Sequence, residues 1–208
     1  MKEKSLKYSI NEWMKFTALS TWPPMVNYVL TIFFLWIASL FWFAYPPVLL
    51  TWVTMGFSFI IFSFALYKRM GAITLKDIGL KKISWHESVI IIVILLALGT
   101  VIYKRGIIDS ALAFIILQQL IVCVSEEFWA RGILICKLKQ MKLSKLQILI
   151  VSSIAFAFLI HSGASLTENV IYRLPISIIF GLTFLSTGKL YLPIALHFLN
   201  NIIAYTGF

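Results

Sequence analysis

Apolar residues along this chain come in long unbroken runs, and the charged residues gather in short clusters between them. Runs of this length have one physical reading: helices that bond their own backbone polar groups while their side chains face lipid. The pattern predicts spans over 25–45, 48–67, 88–103, 110–140, 145–161, 170–186 and 191–206, with Pro46-Pro47 turning the chain between the first two. Pro175 is expected to kink the sixth span. Residues 1–24 mix charge with aromatics and are expected to lie along the membrane surface, with Trp13 and Trp22 at headgroup level. They do not read as a signal peptide, since no small-residue cleavage site follows them. Residues 68–87 form a basic loop or surface helix. The fold class is therefore all-α: a polytopic membrane helical bundle of about seven transmembrane spans, six to eight. Residues 1–71 hold the amphipathic segment and the first two spans, and residues 72–208 form the membrane domain that carries the chemistry. No internal repeat is visible, which removes support for an inverted-repeat transporter.

Composition agrees. Apolar residues are 61% and charged residues 12% of the 208, against roughly 45–50% and 25% in soluble domains, and the mean hydropathy is +0.94. That excludes a soluble enzyme, a disordered chain and a disulfide scaffold. The net charge of +10 does not call for nucleic acid, because the basic residues sit in short loops between spans. Fourteen of the eighteen Lys and Arg fall on one side of a seven-span arrangement, and Lys104, Arg105 and Arg173 on the other. By the positive-inside rule the N-terminus is cytoplasmic and Phe208 outside. The partners expected are the lipid bilayer and a peptide or protein substrate, with no nucleic acid, and the location is a membrane, a bacterial plasma membrane by the chain's small size. Cys123 and Cys136 would lie roughly 20 Å apart on one helix and cannot pair.

Ionisable residues inside spans are costly, and each is a candidate for function. Here they are Glu126, Glu127 and Arg131 on the fourth span, His161 ending the fifth, and His197 on the seventh with Asn200 and Asn201. Glu127 and Arg131 are four residues apart on one helix face and can neutralise each other. Glu126 points about 140° away from Arg131 on an ideal helix. It has no partner on its own helix, which suits a general base. His197 and Asn201 also share a face, so both can donate toward one point. Taken singly, each group has a structural reading: an interhelical ion network, an interfacial histidine like His86 beside Trp85, or polar glue between helices. Together they form a plausible hydrolase constellation of base, water-sharing histidine and oxyanion donors. Depths measured along ideal helices spread widely, at roughly 16–22 Å from the inner surface for Glu126, 24 Å for His161 and 12 Å for His197.

Glu126-Glu127-x-x-x-Arg131, the aromatic run FAFLIH ending at His161, and His197-x-x-x-Asn201 resemble the CPBP family, the CAAX-processing and bacteriocin-processing membrane endopeptidases also called Abi. TGKLYLPIALHFLNN is similar to the family's approach to its third motif, and ITLKDIGLKK to the segment that precedes its core, so the resemblance covers about residues 72–205. One departure is visible: the family has Phe four residues before the motif histidine, where this chain has Ala157 between Phe156 and Phe158. The resemblance implies an all-helical glutamic intramembrane endopeptidase without a cofactor or metal. Glu126 would activate water, His161 would position and polarise it, His197 and Asn201 would form the oxyanion hole, and Glu127 and Arg131 would support them. The substrate would be a CAAX-like tail or a bacteriocin or pheromone precursor. Two alternatives stand beside it. In one, Glu126, His161 and His197 are a His₂Glu zinc site, although no HExxH accompanies them. In the other, the protein is a non-catalytic membrane protein for bacteriocin immunity or for regulating a partner.

Overall fold

The computed structural model describes residues 2–41, 47–105 and 110–205. Among the described residues the predicted runs are helical except at His161, a turn residue, and no strand occurs. The helices are α1 (Lys2–Phe41), α2 (47–70), α3 (Trp85–Arg105), α4 (110–140), α5 (Lys145–Ile160), α6 (Leu166–Thr187) and α7 (Tyr191–Tyr205). α1, α2, α3, α4 and α6 are long and apolar enough to cross a membrane. At 1.5 Å per residue, α5 and α7 reach only about 24 and 22 Å, short of a hydrocarbon core of roughly 30 Å. These two short helices carry the two candidate histidines.

Two expectations need correction. The N-terminal segment is not a separate surface element. Helix α1 runs unbroken through Pro23 and Pro24, and its Phe16 and Leu19 are buried in the main core, while Trp13 and Trp22 stay exposed. Pro23 has no N–H to give to the Leu19 carbonyl one turn back, which would normally interrupt a helix. The indole N–H of Trp129 from α4 takes that place, donating to the Leu19 oxygen at 2.8 Å. Lys137, placed by its charge in an aqueous inner turn, is instead buried and ion-paired to Glu12 of α1. The expected turn at Pro46-Pro47 falls on residues 42–46, outside the described residues, and Pro47 opens α2, a position that suits its fixed φ.

Four helical stretches widen into π-turns: Gly56–Phe62, Phe128–Leu134, Phe156–Ile160 and Asn169–Arg173. The last of them, just before Pro175, is where the sixth span departs from a regular helix. A widened turn holds one residue more than an α-turn, so each later residue takes the place its predecessor would hold in a regular helix.

The end of the bundle bearing the 68–82 and 137–145 lysines is sealed. In the loop after α2, the Thr74 N–H and hydroxyl both donate to Asp77, which holds that carboxyl below its usual range. The turn so formed drives Ile78 fully into the core. Gly132 lets it approach, since a Cβ there would lie 3.2 Å from the Ile78 carbonyl oxygen. Gly79, at φ +92°, lies where a Cβ would strike the Phe184 ring, and its carbonyl accepts from the Leu190 N–H. Ser84 and Glu87 form a capping box at the start of α3, and Glu87 also pairs with Lys189 before α7.

The Trp129–Leu19 contact generates a test. Trp129→Phe keeps an aromatic ring and strands a buried carbonyl, at an expected cost of about 1–3 kcal/mol. Melting in detergent should fall accordingly, whereas Trp13→Phe at an exposed position should leave it unchanged. Equal melting of the two variants would mean that the indole N–H does not hold the helix through its prolines.

Candidate active site

Glu126 and Glu127 are the last residues of the regular part of α4, immediately before the π-turn Phe128–Leu134. Both are buried. Glu127 is paired as its spacing predicts, with Arg131 Nε 3.0 Å from its Oε2 and neither side chain exposed. The guanidinium is fixed further by a 3.0 Å bond from Nη2 to Ser177 Oγ of α6 and by lying 4.9 Å over the Phe156 ring of α5. The other oxygen of Glu127, Oε1, sits 3.0 Å from His197 Nδ1 of α7. As the counter-ion of Arg131, Glu127 accepts, so Nδ1 carries the hydrogen and Nε2 turns its lone pair the other way, a carboxylate-oriented imidazole.

That other way is Glu126. His197 Nε2 lies 3.8 Å from Glu126 Oε2, and His161 Nε2 lies 4.0 Å from the same oxygen. Glu126 Oε2 is buried and has no hydrogen-bond partner. The three groups whose depths along ideal helices diverge are therefore adjacent. The divergence came from treating the helices as rods of one origin, whereas α4 continues past Glu127 into a buried inner turn and α5 and α7 are short.

His161 follows directly on the π-turn Phe156–Ile160. That turn answers the missing phenylalanine. Five residues before His161, Phe156 packs its ring against the imidazole at 5.5 Å, edge-on, and against His197 at 5.6 Å. A regular helix would have carried it away from both. Phe180 of α6 stacks on His197 at 5.1 Å. Ser177 and Phe180 had no distinguishing mark in the sequence, because serines and phenylalanines are common throughout the spans.

Asn201 lies on α7 one turn beyond His197 and lines the same cavity, but its amide does not converge freely with the imidazole. Its Nδ2 donates to Gln119 Oε1 of α4 at 2.9 Å and approaches Cys123 Sγ at 3.5 Å. Asn200, about 100° around the helix from Asn201, also lines the cavity and donates to Asn201 Oδ1. Gln119 is the polar residue that the sequence reading passed over; its position two turns before Glu126 on the same apolar helix was the available signal. His86 stacks on Trp85 at 3.8 Å, away from the site, and Cys123 and Cys136 are both free and buried.

A cavity of about 850 Å³ has Glu126, His161, His197 and Asn201 among its walls. A smaller one, of about 180 Å³, reaches Glu126 and His161 from the α1 side, past Asn27. The candidate centre is thus a buried carboxylate oxygen facing two imidazole nitrogens, with a cavity beside it.

No curated protein and no solved structure matches the chain. Residues 108–203, the stretch holding Glu126 through Asn201, match the family described as type II CAAX prenyl endopeptidase Rce1-like. That match covers a little under half of the chain and agrees with the resemblance of its three motifs to the CPBP membrane proteases.

Proposed function

We propose that the protein is an intramembrane endopeptidase that cuts a membrane-associated peptide with water activated by Glu126. The candidate substrates are a CAAX-like tail and a bacteriocin or pheromone precursor. The observation that carries this reading is the buried, unpartnered Glu126 Oε2 opposite two histidine nitrogens at 3.8 and 4.0 Å. A water oxygen about 2.8 Å from Glu126 Oε2 and about 2.8 Å from either nitrogen is compatible with those separations.

Glu126 takes one proton from this water while His161 holds it, and the hydroxide attacks the peptide carbonyl carbon. The carbonyl oxygen becomes the oxyanion and Asn201 is its donor, whereas His197, whose Nδ1 hydrogen goes to Glu127, accepts from the attacking water at Nε2 instead of acting as the expected second donor. Glu126 then returns its proton to the departing amine, the C–N bond breaks, and the carboxylic acid and amine leave. Glu127 and Arg131 take no part in bond making. Arg131 keeps Glu127 charged, and Glu127 keeps His197 in the useful tautomer and orientation. The reaction so written needs no cofactor or metal, and cleavage should survive a strong chelator. Loss on chelation would favour the zinc arrangement of the same three groups.

The two glutamates should fail differently. Glu126→Gln removes the base and leaves no broken pair, so turnover should vanish while melting in detergent is nearly unchanged. Glu127→Gln leaves Arg131 without its countercharge, at a cost of roughly 3–5 kcal/mol by analogy with buried pairs in soluble proteins. Poor yield and low melting should result, partly restored by changing Arg131→Gln as well. Full cleavage by a stable Glu126→Gln would end the hydrolase reading and leave a non-catalytic immunity or regulatory role.

Asn201→Ala removes one oxyanion donor and should lower kcat by roughly 10²–10³ with KM little altered. Gln119→Ala, which only frees the Asn201 amide, should cost less. A loss confined to KM in Asn201→Ala would make Asn201 a substrate-binding residue instead.

A further inference from the structure

Two cavities meet at Glu126 and His161, which line both of them. His197 and Asn201 belong to the large one. The small one, of about 180 Å³, lies against α1 and α2 instead. Its polar walls are Asn27, Tyr28, Glu126 and His161, and its apolar walls include Met55 and Phe59. Asn27 Oδ1 is buried and has no hydrogen-bond partner in the protein. Glu126, on the same cavity, has its Oε2 in the same condition. A buried acceptor left unmet costs about 1–3 kcal/mol. Two of them on the walls of one space mark it as a place for a donor.

The donor that fits is water. A cavity with only apolar walls stays dry, whereas a water is held where two to four polar groups surround it. Here four residues supply such groups. The volume is ample, since a water's share of the liquid is about 30 Å³. Neither oxygen can serve the other, because a carboxylate and an amide carbonyl both accept. A water gives two hydrogens and bridges them, directly or through a second water. The walls are also fixed in place. The Tyr28 and Ser162 hydroxyls share a 3.0 Å hydrogen bond, which ties α1 to the residue after His161. Phe59 packs on Trp129, and the bond from that indole to Leu19 sets the register of α1 about two turns before Asn27.

We infer that the small cavity stores the water consumed in hydrolysis and that Asn27 anchors it there. Asn27 is a positioning residue, on a helix outside the matched segment 108–203. The inference rests on the hydrolase reading above. Each turnover consumes one water: its oxygen joins the carbonyl carbon as the C–N bond breaks, one hydrogen leaves with the amine and the other with the acid. The oxyanion donor Asn201 lies on the large cavity, so the peptide occupies that side and displaces the water from it. A water held on the α1 side keeps its contact with Glu126 and His161 while the peptide is bound. Loss of the anchor slows the chemical step of the bound complex and leaves peptide binding alone. It is therefore read in kcat and not in KM.

The test uses the full chain purified in detergent. Asn27→Leu keeps the size of the side chain and removes its amide, and Asn27→Gln keeps the amide. Water in the small cavity is read by hydroxyl-radical footprinting, in which a short X-ray pulse ionises water where it sits. Met55, a buried and readily oxidised wall residue, is the reporter. Cleavage is followed with a prenylated CAAX-type reporter peptide, with Glu126→Gln as the control. In Asn27→Leu, Met55 oxidation should fall about threefold or more. Its kcat should fall about tenfold or more with KM little altered. Its melting should not fall, since a stranded acceptor has been removed. Asn27→Gln should recover most of both readings. Equal Met55 oxidation in the wild type and Asn27→Leu, or none in either, overturns the water store whatever the activity. Loss of Met55 oxidation with kcat unchanged overturns the use of that water in hydrolysis. Lower melting and higher KM in both variants make Asn27 a packing residue and overturn its role as anchor. Met55 oxidation that depends on Asn27, without any Glu126-dependent cleavage, upholds the anchored water and removes the hydrolase reading, and with it the water's use.

Discussion

A carboxylate and a guanidinium with no solvent exposure can persist inside a bilayer only by neutralising each other and drawing on further hydrogen bonds. The Glu127–Arg131 pair sets that constraint, and the site is arranged around it. One oxygen of Glu127 is held by Arg131 and the other by His197; Arg131 is clamped by Ser177 and the face of Phe156. Helices α4, α5, α6 and α7 thus meet at one ion pair. Glu126, the next residue along, is what the arrangement leaves over: a carboxyl beside a fully committed partner, with one oxygen free to meet a water. Its freedom is a consequence of its neighbour's saturation.

The same helix is anchored from its other side by backbone chemistry. Two prolines in the middle of a forty-residue helix would ordinarily mark its end. Here the carbonyl released by Pro23 receives the indole of Trp129, two residues beyond Glu127. Phe59 of α2 packs edge-on against the same indole at 5.6 Å. The first two helices lie outside the family-matched segment, yet they fix the turn from which Glu127 and Arg131 project. A substitution at Pro23 that restored its N–H would compete with Trp129 for the Leu19 oxygen, so the sequence of α1 bears on the site without any of its residues entering the ion network.

Much of this was legible in the residues. Long apolar runs mark the helices, because lipid leaves the backbone no other partner. Ionisable groups within those runs mark the site, because nothing else would keep them there. The i,i+4 spacing of Glu127 and Arg131 gave their pairing directly. What was hidden depended on departures from a uniform helix. The convergence of Glu126, His161 and His197 is invisible to depth arithmetic that gives every helix the same starting plane. The continuity of α1 needed a donor from 110 residues away. The engagement of Asn201 by Gln119 joins two amides on separate helices, and no spacing within one helix can report it. Lys137 shows the opposite error: a charge assigned to water by its neighbours was buried by a carboxylate on another helix.

The widened turn before His161 has a meaning for chain length. Where the family has a phenylalanine four residues ahead of its histidine, this chain has one five ahead, and the ring still reaches the imidazole. A π-turn is a helix with one residue inserted and the downstream register held in place. In those terms the residues around Ala157 amount to a single-residue insertion absorbed locally by the backbone. A spacing read from aligned letters would score it as the loss of a motif residue. What the fold preserves is an angle between two rings, and the number of residues between them is free to change by one as long as the helix widens to take it.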